Sequence, residues 1–537
     1  MGLENGDDSV IPPQDLLERF KDYGQEQTLA YWHDLTPEER DVLIQDLESV
    51  DLPRVSRIVR KSLRKQDKPN CQPILDSEVA TLDTRTQDER GRWWGMGLRA
   101  ISEGKLAVLL LSGGQGTRLG SKDPKGCFNI GLPSGKSLFQ LQAERILRVQ
   151  KLASQSTTNG KVVKVPWYIM TSPFTDSATK KFFQNRKYFG LEQDQVMFFQ
   201  QGTLPCISKD GRFIMSNPYK MAMAPDGNGG VYAALKSSRC LEDMARRGIK
   251  YVDVYSVDNT LVRVADPLFL GYWIDQGTSC AAKVIKKAYP QERVGVFVHH
   301  GKGGPVGVAE YTELGADLQF AINQETGRLA YKWSNVCMHM FSLDFLHTVV
   351  EELEKDSIYH LAEKKIQSVD GVIDGIKLEQ FIFDSIPYAP SISLFEVIRE
   401  EEFAPVKNAS GATTDSPDTA RALLQRLHMG WVVSAGGSIA NTGTAYASEI
   451  VPRLFEERVP RLFEEIVMTF GINKPVSYTF FADKLLKLLL GFVPHIFVKK
   501  RASKYHLSSH MQAKAWKTCA EGELFMHQLK FMLKVEG

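Results

Sequence analysis

The stretch Leu106–Lys125, LAVLLLSGGQGTRLGSKDPK, constrains the rest of this chain most. It opens with an unbroken apolar run, Leu106 to Leu111. Such a run predicts a strand covered on both faces, as in a parallel sheet. Ser112, Gly113 and Gly114 follow, then Gly116. Glycines at a strand end let the backbone turn sharply and approach a ligand. Successive N–H groups in such a loop form a concave anion site. Arg118 and Lys125 add two cations: a guanidinium can grip phosphate bidentately, and a lysine acts as a mobile point charge. The spacing matches neither the G-x-G-x-x-G dinucleotide turn nor the G-x-x-x-x-G-K-[ST] P-loop. Gly131 to Ser137 misses the P-loop by one residue and contains Pro133.

Strand and helix patterns alternate around this stretch. Trp167 to Ser172, Val196 to Phe199 and Tyr251 to Val257 read as strands; Ser137 to Gln150, Phe174 to Phe183 and Val231 to Arg247 read as helices. This alternation predicts an α/β fold built on a doubly wound, mostly parallel sheet, which binds ligands beyond the carboxyl ends of its strands. Gln201 and Asp258 fall at such ends. Met223 to Gly230 is a second glycine-dense loop, placed before a helix where free N–H groups gather. Ahead of the sheet, Thr36-Pro37-Glu38-Glu39 marks a capped helix start. Residues 66 to 88 read as a polar linker, and Gly375 to Asp384 as helix running into strand. The expected layout is a helical segment over 1–100, a catalytic domain over 101–405 and a C-terminal part over 406–537.

A net charge of +2 gives no reason to expect nucleic acid or a membrane as partner. The seven cysteines include no CxxC pair, which argues against a zinc site or a secreted disulfide framework. The first residues, MGLENGDDSV, are unlike a signal peptide, so a cytoplasmic location is expected.

The motif at Ser112 to Lys125 resembles the signature of nucleotidyltransferases that join a nucleotide to a sugar 1-phosphate. Over roughly residues 15 to 450 the chain is most similar to the eukaryotic UDP-N-acetylglucosamine pyrophosphorylases, a family with a Rossmann-like nucleotidyltransferase sheet. The resemblance implies a Mg²⁺-dependent uridylyltransferase acting on UTP and N-acetylglucosamine 1-phosphate, and leaves the oligomeric state open. It implies that Ser112, Gly113 and Gly114 support the nucleotide, and that Arg118 and Lys125 hold the departing pyrophosphate. Gln201 and Gly227 would read uracil, with Asn228 the next contact. Asp258 would bind Mg²⁺. Gly295, Glu310 and Asn335 would touch the sugar, and Phe381 and Phe383 would wall the N-acetyl group. Lys407 would sit at the reacting phosphates, with Asn408 beside it in the same motif. N-acetylgalactosamine 1-phosphate and glucose 1-phosphate are alternative sugars, and an inactive nucleotide-sugar binder is the alternative class. From about residue 450 the chain departs from the family pattern. Val451 to Glu457 is nearly duplicated as Val459 to Glu465, and Leu485 to Val498 is apolar but shorter than the roughly 20 residues of a membrane span. This end reads as a replacement for the usual one, with activity and stability at stake.

Overall fold

The computed structural model describes residues 11–64, 70–156, 162–356 and 359–434. The expectations for the repeat at 451–465 and the apolar segment 485–498 lie outside these residues.

An eleven-stranded sheet organises the chain. In chain order its strands are β1 (Cys71–Pro73), β2 (Val79–Thr81), β3 (Leu106–Leu111), β4 (Trp167–Thr171), β5 (Val196–Gln200), β6 (Tyr251–Ser256), β7 (Cys280–Lys286), β8 (Val296–His300), β9 (Val306–Ala309), β10 (Trp333–Ser342) and β11 (Ile392–Glu396). The main path runs β2-β11-β7-β10-β6-β3-β4-β5, with β1, β8 and β9 attached through β10. Strands β6, β3, β4 and β5 pair in parallel, as do β7, β11 and β2. β10 runs antiparallel between the two groups. The organising strand is buried along its whole length. Leu106, Val108 and Leu110 enter one core with Trp93, Phe139 and Ile146; Ala107, Leu109 and Leu111 enter the other with Val231, Leu235 and Leu346. Alternate residues of one strand thus feed two apolar layers, which is why its sequence is continuous rather than alternating. Tyr251 lies opposite Leu106 and Ser256 opposite Leu111, so the loops after β3 and β6 leave the sheet side by side.

Three local expectations are corrected. The supposed linker supplies β1 and β2, so the sheet begins before residue 101; these strands are too short for periodicity to reveal. Gly375 to Asp384 is not helix into strand. It is the end of a hairpin, His360–Ser368 with Gly371–Glu379, followed by a short helix Ile382–Tyr388. Ile376 and Leu378 are buried at alternate positions, a two-residue period that decides for strand. The helix expected over Val231 to Arg247 is two, Val231–Ser237 and Cys240–Arg246, broken at Arg239 with φ 56°.

The N-terminal helix Pro37–Glu48 starts as its sequence predicts: Glu39 N–H donates to Thr36 Oγ1 at 3.3 Å, and Thr36 N–H to Glu39 Oε2 at 3.0 Å. Leu43, Leu47, Val55 and Ile58 pack against Ile207, Phe213, Ile376 and Leu378. The helical appendage therefore braces the hairpin and the small strands beside the second glycine loop. No helix among the described residues is long and apolar enough to cross a membrane.

Candidate active site

The loop after β3 is shaped by its own hydrogen bonds. Ser112 N–H donates to Met170 O at 2.9 Å, so its amide belongs to the sheet, and its buried hydroxyl has no partner among the described residues. Ser172 Oγ donates to Gly113 O at 2.8 Å. Lys125 N–H donates to Gly114 O at 3.2 Å and brings the lysine back over the loop. Between them a short helix, Thr117–Leu119, ends at Gly120 in the left-handed region. Arg118 on that turn is exposed.

Asp258 leaves β6 beside this loop. Val406 N–H donates to Asp258 O at 3.0 Å, and Thr260 N–H to Ala404 O at 3.0 Å. Asn259 completes the join: Nδ2 donates to Glu402 O at 2.7 Å and Oδ1 accepts from Ala404 N–H at 3.0 Å. Glu402 is itself anchored by the buried Lys283, which also meets Asp266 at 2.6 Å. The segment carrying Lys407 is thus pinned along the end of β6. Asn408 closes the following turn through Thr414 O and Asp415 O. Lys125 Nζ lies 3.7 Å from Asp258 Oδ2. Burial pushes the Asp258 carboxyl up, but Lys125 and Lys407 outweigh it and hold the group below its ordinary value. The Cys337 thiol feels both Asp258 and Lys407; burial pushes it up to about 12, so it stays protonated.

Gln201 follows β5 and reaches the second glycine loop. Its Nε2 donates to Asp226 Oδ1 at 3.0 Å and to Gly227 O at 2.7 Å. Two acceptors on one side fix the amide, with Oε1 turned toward Gly113. A Cβ on Gly113 would lie 1.9 Å from that oxygen, so only glycine leaves room for it. Asp226 is buried, and burial pushes its carboxyl up to about 6 despite the Gln201 hydrogen bond.

The same loop is zipped to residues 380–382. Gln380 N–H donates to Asp226 O at 2.7 Å, Gly229 N–H to Gln380 O at 2.8 Å, and Ile382 N–H to Asn228 Oδ1 at 2.9 Å. Gly227 has φ 90°, and a Cβ there would stand 2.2 Å from Gln380 O. A side chain at 227 therefore meets backbone rather than open space. Gly227→Val is expected to push the two segments apart and cost about 2–3 kcal/mol of stability through overpacking and left-handed strain. Thermal melting checks it, with calorimetry expected to show weaker binding of UTP and sugar phosphate alike.

Gly295, Glu310 and Asn335 come together. Asn335 N–H donates to Gly295 O at 2.9 Å, and a Cβ on Gly295 would lie 2.8 Å from Glu310 Oε1. Burial, then Glu313, pushes Glu310 up to about 7; His360 and Lys407 act the other way. The Phe381 and Phe383 rings lie 5.1 Å apart, with Phe383 buried in the core and Phe381 half-buried at its edge. Three neighbours carried no sequence expectation. Asp226 stands inside the second glycine loop, and only the structure shows that its carboxylate is buried. His360 and Asp384 belong to no motif and meet only through the hairpin.

Residues expected from sequence are thus brought together in three groups: Lys125 and Lys407 about Asp258, Gly113 and Gly227 about Gln201, and Gly295 with Glu310 and Asn335; Arg118 stands exposed on the first loop. A family model for UTP–glucose-1-phosphate uridylyltransferase matches residues 64–448, and the chain belongs to that family. It is 64% identical over 443 residues to UDP-N-acetylglucosamine diphosphorylase 1 of Arabidopsis thaliana, covering 82% of this chain and 88% of the relative. It is 38% identical to the UDP-N-acetylglucosamine pyrophosphorylase of Saccharomyces cerevisiae over 79% of this chain and 92% of that one. Among solved structures, the UDP-N-acetylglucosamine pyrophosphorylase of Trypanosoma brucei superposes with a TM-score of 0.71 at 35% identity, covering 78% of this chain and 85% of that one.

Proposed function

We infer that the chain transfers a uridylyl group from UTP to N-acetylglucosamine 1-phosphate, releasing pyrophosphate and UDP-N-acetylglucosamine. The observation that carries this reading is Asp258, an ionised carboxylate held by Lys125 and Lys407 beside a glycine loop. That arrangement suits reaction between two polyanions, where alignment and charge neutralisation do most of the work. The sugar phosphate oxygen forms a bond to the α-phosphorus of UTP as the bond to the β-phosphate oxygen breaks, and pyrophosphate carries away the electron pair. In our reading Gly113 and Gly114 cradle the phosphates. Arg118 and Lys125 take the charge of the leaving pyrophosphate, and Lys407 draws the sugar phosphate onto the α-phosphate. Gln201 Oε1, its Nε2 already engaged, accepts the uracil N3–H, a donor that cytosine lacks. Asn228 is the next contact in that loop. Gly295, Glu310 and Asn335 face the sugar, with Phe381 and Phe383 about its N-acetyl group. Burial pushes the Glu310 carboxyl up to about 7, which favours the form that donates to a sugar hydroxyl.

Asp258 fits Mg²⁺: it supplies one hard, charged oxygen, and Mg²⁺ on phosphates needs only one or two carboxylates. No group of three metal-ligating side chains gathers among the described residues, so phosphates and water would complete the shell. A bound Mg²⁺ would neutralise phosphate charge. The described cysteines are all free thiols, in keeping with a reducing, cytoplasmic setting.

The test of sugar choice is a panel of N-acetylglucosamine, N-acetylgalactosamine and glucose 1-phosphates with UTP and Mg²⁺. We expect kcat/KM to be highest for N-acetylglucosamine 1-phosphate. A higher value for glucose 1-phosphate would overturn the sugar assignment.

A further inference from the structure

His360 opens the hairpin that the N-terminal helices brace, and both of its ring nitrogens are occupied by carboxylates. Nδ1 lies 3.1 Å from Glu313 Oε1, and Nε2 lies 2.9 Å from Asp384 Oδ1. Each carboxylate also holds a backbone amide. Glu313 Oε2 accepts from Glu310 N–H at 3.0 Å, and Asp384 Oδ2 accepts from Phe381 N–H at 2.7 Å. The imidazole itself packs on Phe381, with ring centroids 4.5 Å apart, and faces Phe383 at 6.3 Å. One ring therefore joins the segment of Glu310 to the aromatic pair.

We propose that His360 is a positioning residue for the sugar 1-phosphate: clamped between Glu313 and Asp384, it sets the spacing between Glu310 and the Phe381–Phe383 wall, and so the preference for an N-acetylated sugar. This rests on the functional reading above. The clamp stands on a rigid base, since His360 pairs with Glu379 in the hairpin and Tyr359 is buried among Leu43, Ile376 and Leu378. Burial alone would lower the histidine's affinity for a proton, but Asp384 and Glu313 more than offset it and push the group up to about 10. The ring is then doubly protonated at neutral pH and donates to both carboxylates. Replacing it uncouples the Glu310 segment from the Phe381–Phe383 wall, while the bonds of Gln380 N–H to Asp226 O and of Ile382 N–H to Asn228 Oδ1 remain and keep the second glycine loop in place.

His360→Phe keeps a ring over Phe381 and removes both donors. Steady-state kinetics should show KM for N-acetylglucosamine 1-phosphate raised about tenfold, KM for UTP within about twofold, and the kcat/KM preference over glucose 1-phosphate reduced about fivefold. Glu313→Gln, whose side chain is 36% exposed and whose loss removes one arm, should move the same ratios in the same direction if His360→Phe fails to fold. Unchanged sugar KM and preference in the folded variant, or equal rises in KM for both substrates, would overturn the proposal. A wild-type chain that turns over no sugar 1-phosphate would overturn the functional reading itself, a result distinct from an active wild type with unmoved ratios.

Discussion

Asp258→Asn is expected to leave less than about a thousandth of the wild-type kcat, the upper range for removing one charged group from a phosphoryl-type transition state. The amide keeps the shape of the side chain and loses the charge that a hard cation requires. The backbone carbonyl of Asp258 still accepts from Val406, so the join to the Lys407 segment survives. Lys125 and Lys407, relieved of their anion, remain free to attract phosphate. KM for UTP should therefore stay level or fall while kcat collapses. A Mg²⁺ titration checks this. A variant with the wild-type titration curve would reduce Asp258 to a strand-end residue.

Lys407→Met is expected to lower kcat by about 10²–10³-fold, equivalent to roughly 3–4 kcal/mol of transition-state stabilisation. UTP binding without the sugar should change far less, because Gln201, Gly113 and Gly114 lie elsewhere. A second effect has a definite sign. Burial pushes Asp258 up, and Lys125 and Lys407 together bring it below its ordinary value. Its ionised form is thus kept as pH falls below the usual carboxylate range and is lost only through the lower, folded value. Without Lys407 that value rises. The acid limb of the pH–rate profile should move to higher pH in the variant, and an unmoved limb would separate Lys407 from Asp258.

What was legible in the sequence was whatever local pattern decides. Leu106 to Leu111 is apolar throughout because both faces are buried, and the glycines after it leave few alternatives to a ligand loop. Thr36 and Glu39 form the capping box that their spacing predicts. Asp258 and Gln201 could be placed because a parallel sheet puts its site at the carboxyl ends of its strands. The remainder depends on partners distant in sequence. Cys71–Pro73 becomes a strand only because β8 lies beside it, and Gly371–Glu379 because the hairpin buries Ile376 and Leu378 on the N-terminal helices. The close approach of Gly227 to the backbone of Gln380, more than a hundred residues on, has no local pattern to announce it. Asp226 and His360 draw their importance from burial and from carboxylate or amide partners, which no spacing within a motif encodes.

Asp258, Lys125 and Lys407 are proposed above to form one site for uridylyl transfer between two phosphates. The most direct measurement is phosphorus NMR of the full chain with UTP, N-acetylglucosamine 1-phosphate and Mg²⁺. UDP-N-acetylglucosamine and pyrophosphate are expected to appear in equal amounts as UTP is consumed. UTP and sugar phosphate left unchanged, by a chain that binds UTP in calorimetry, would contradict it.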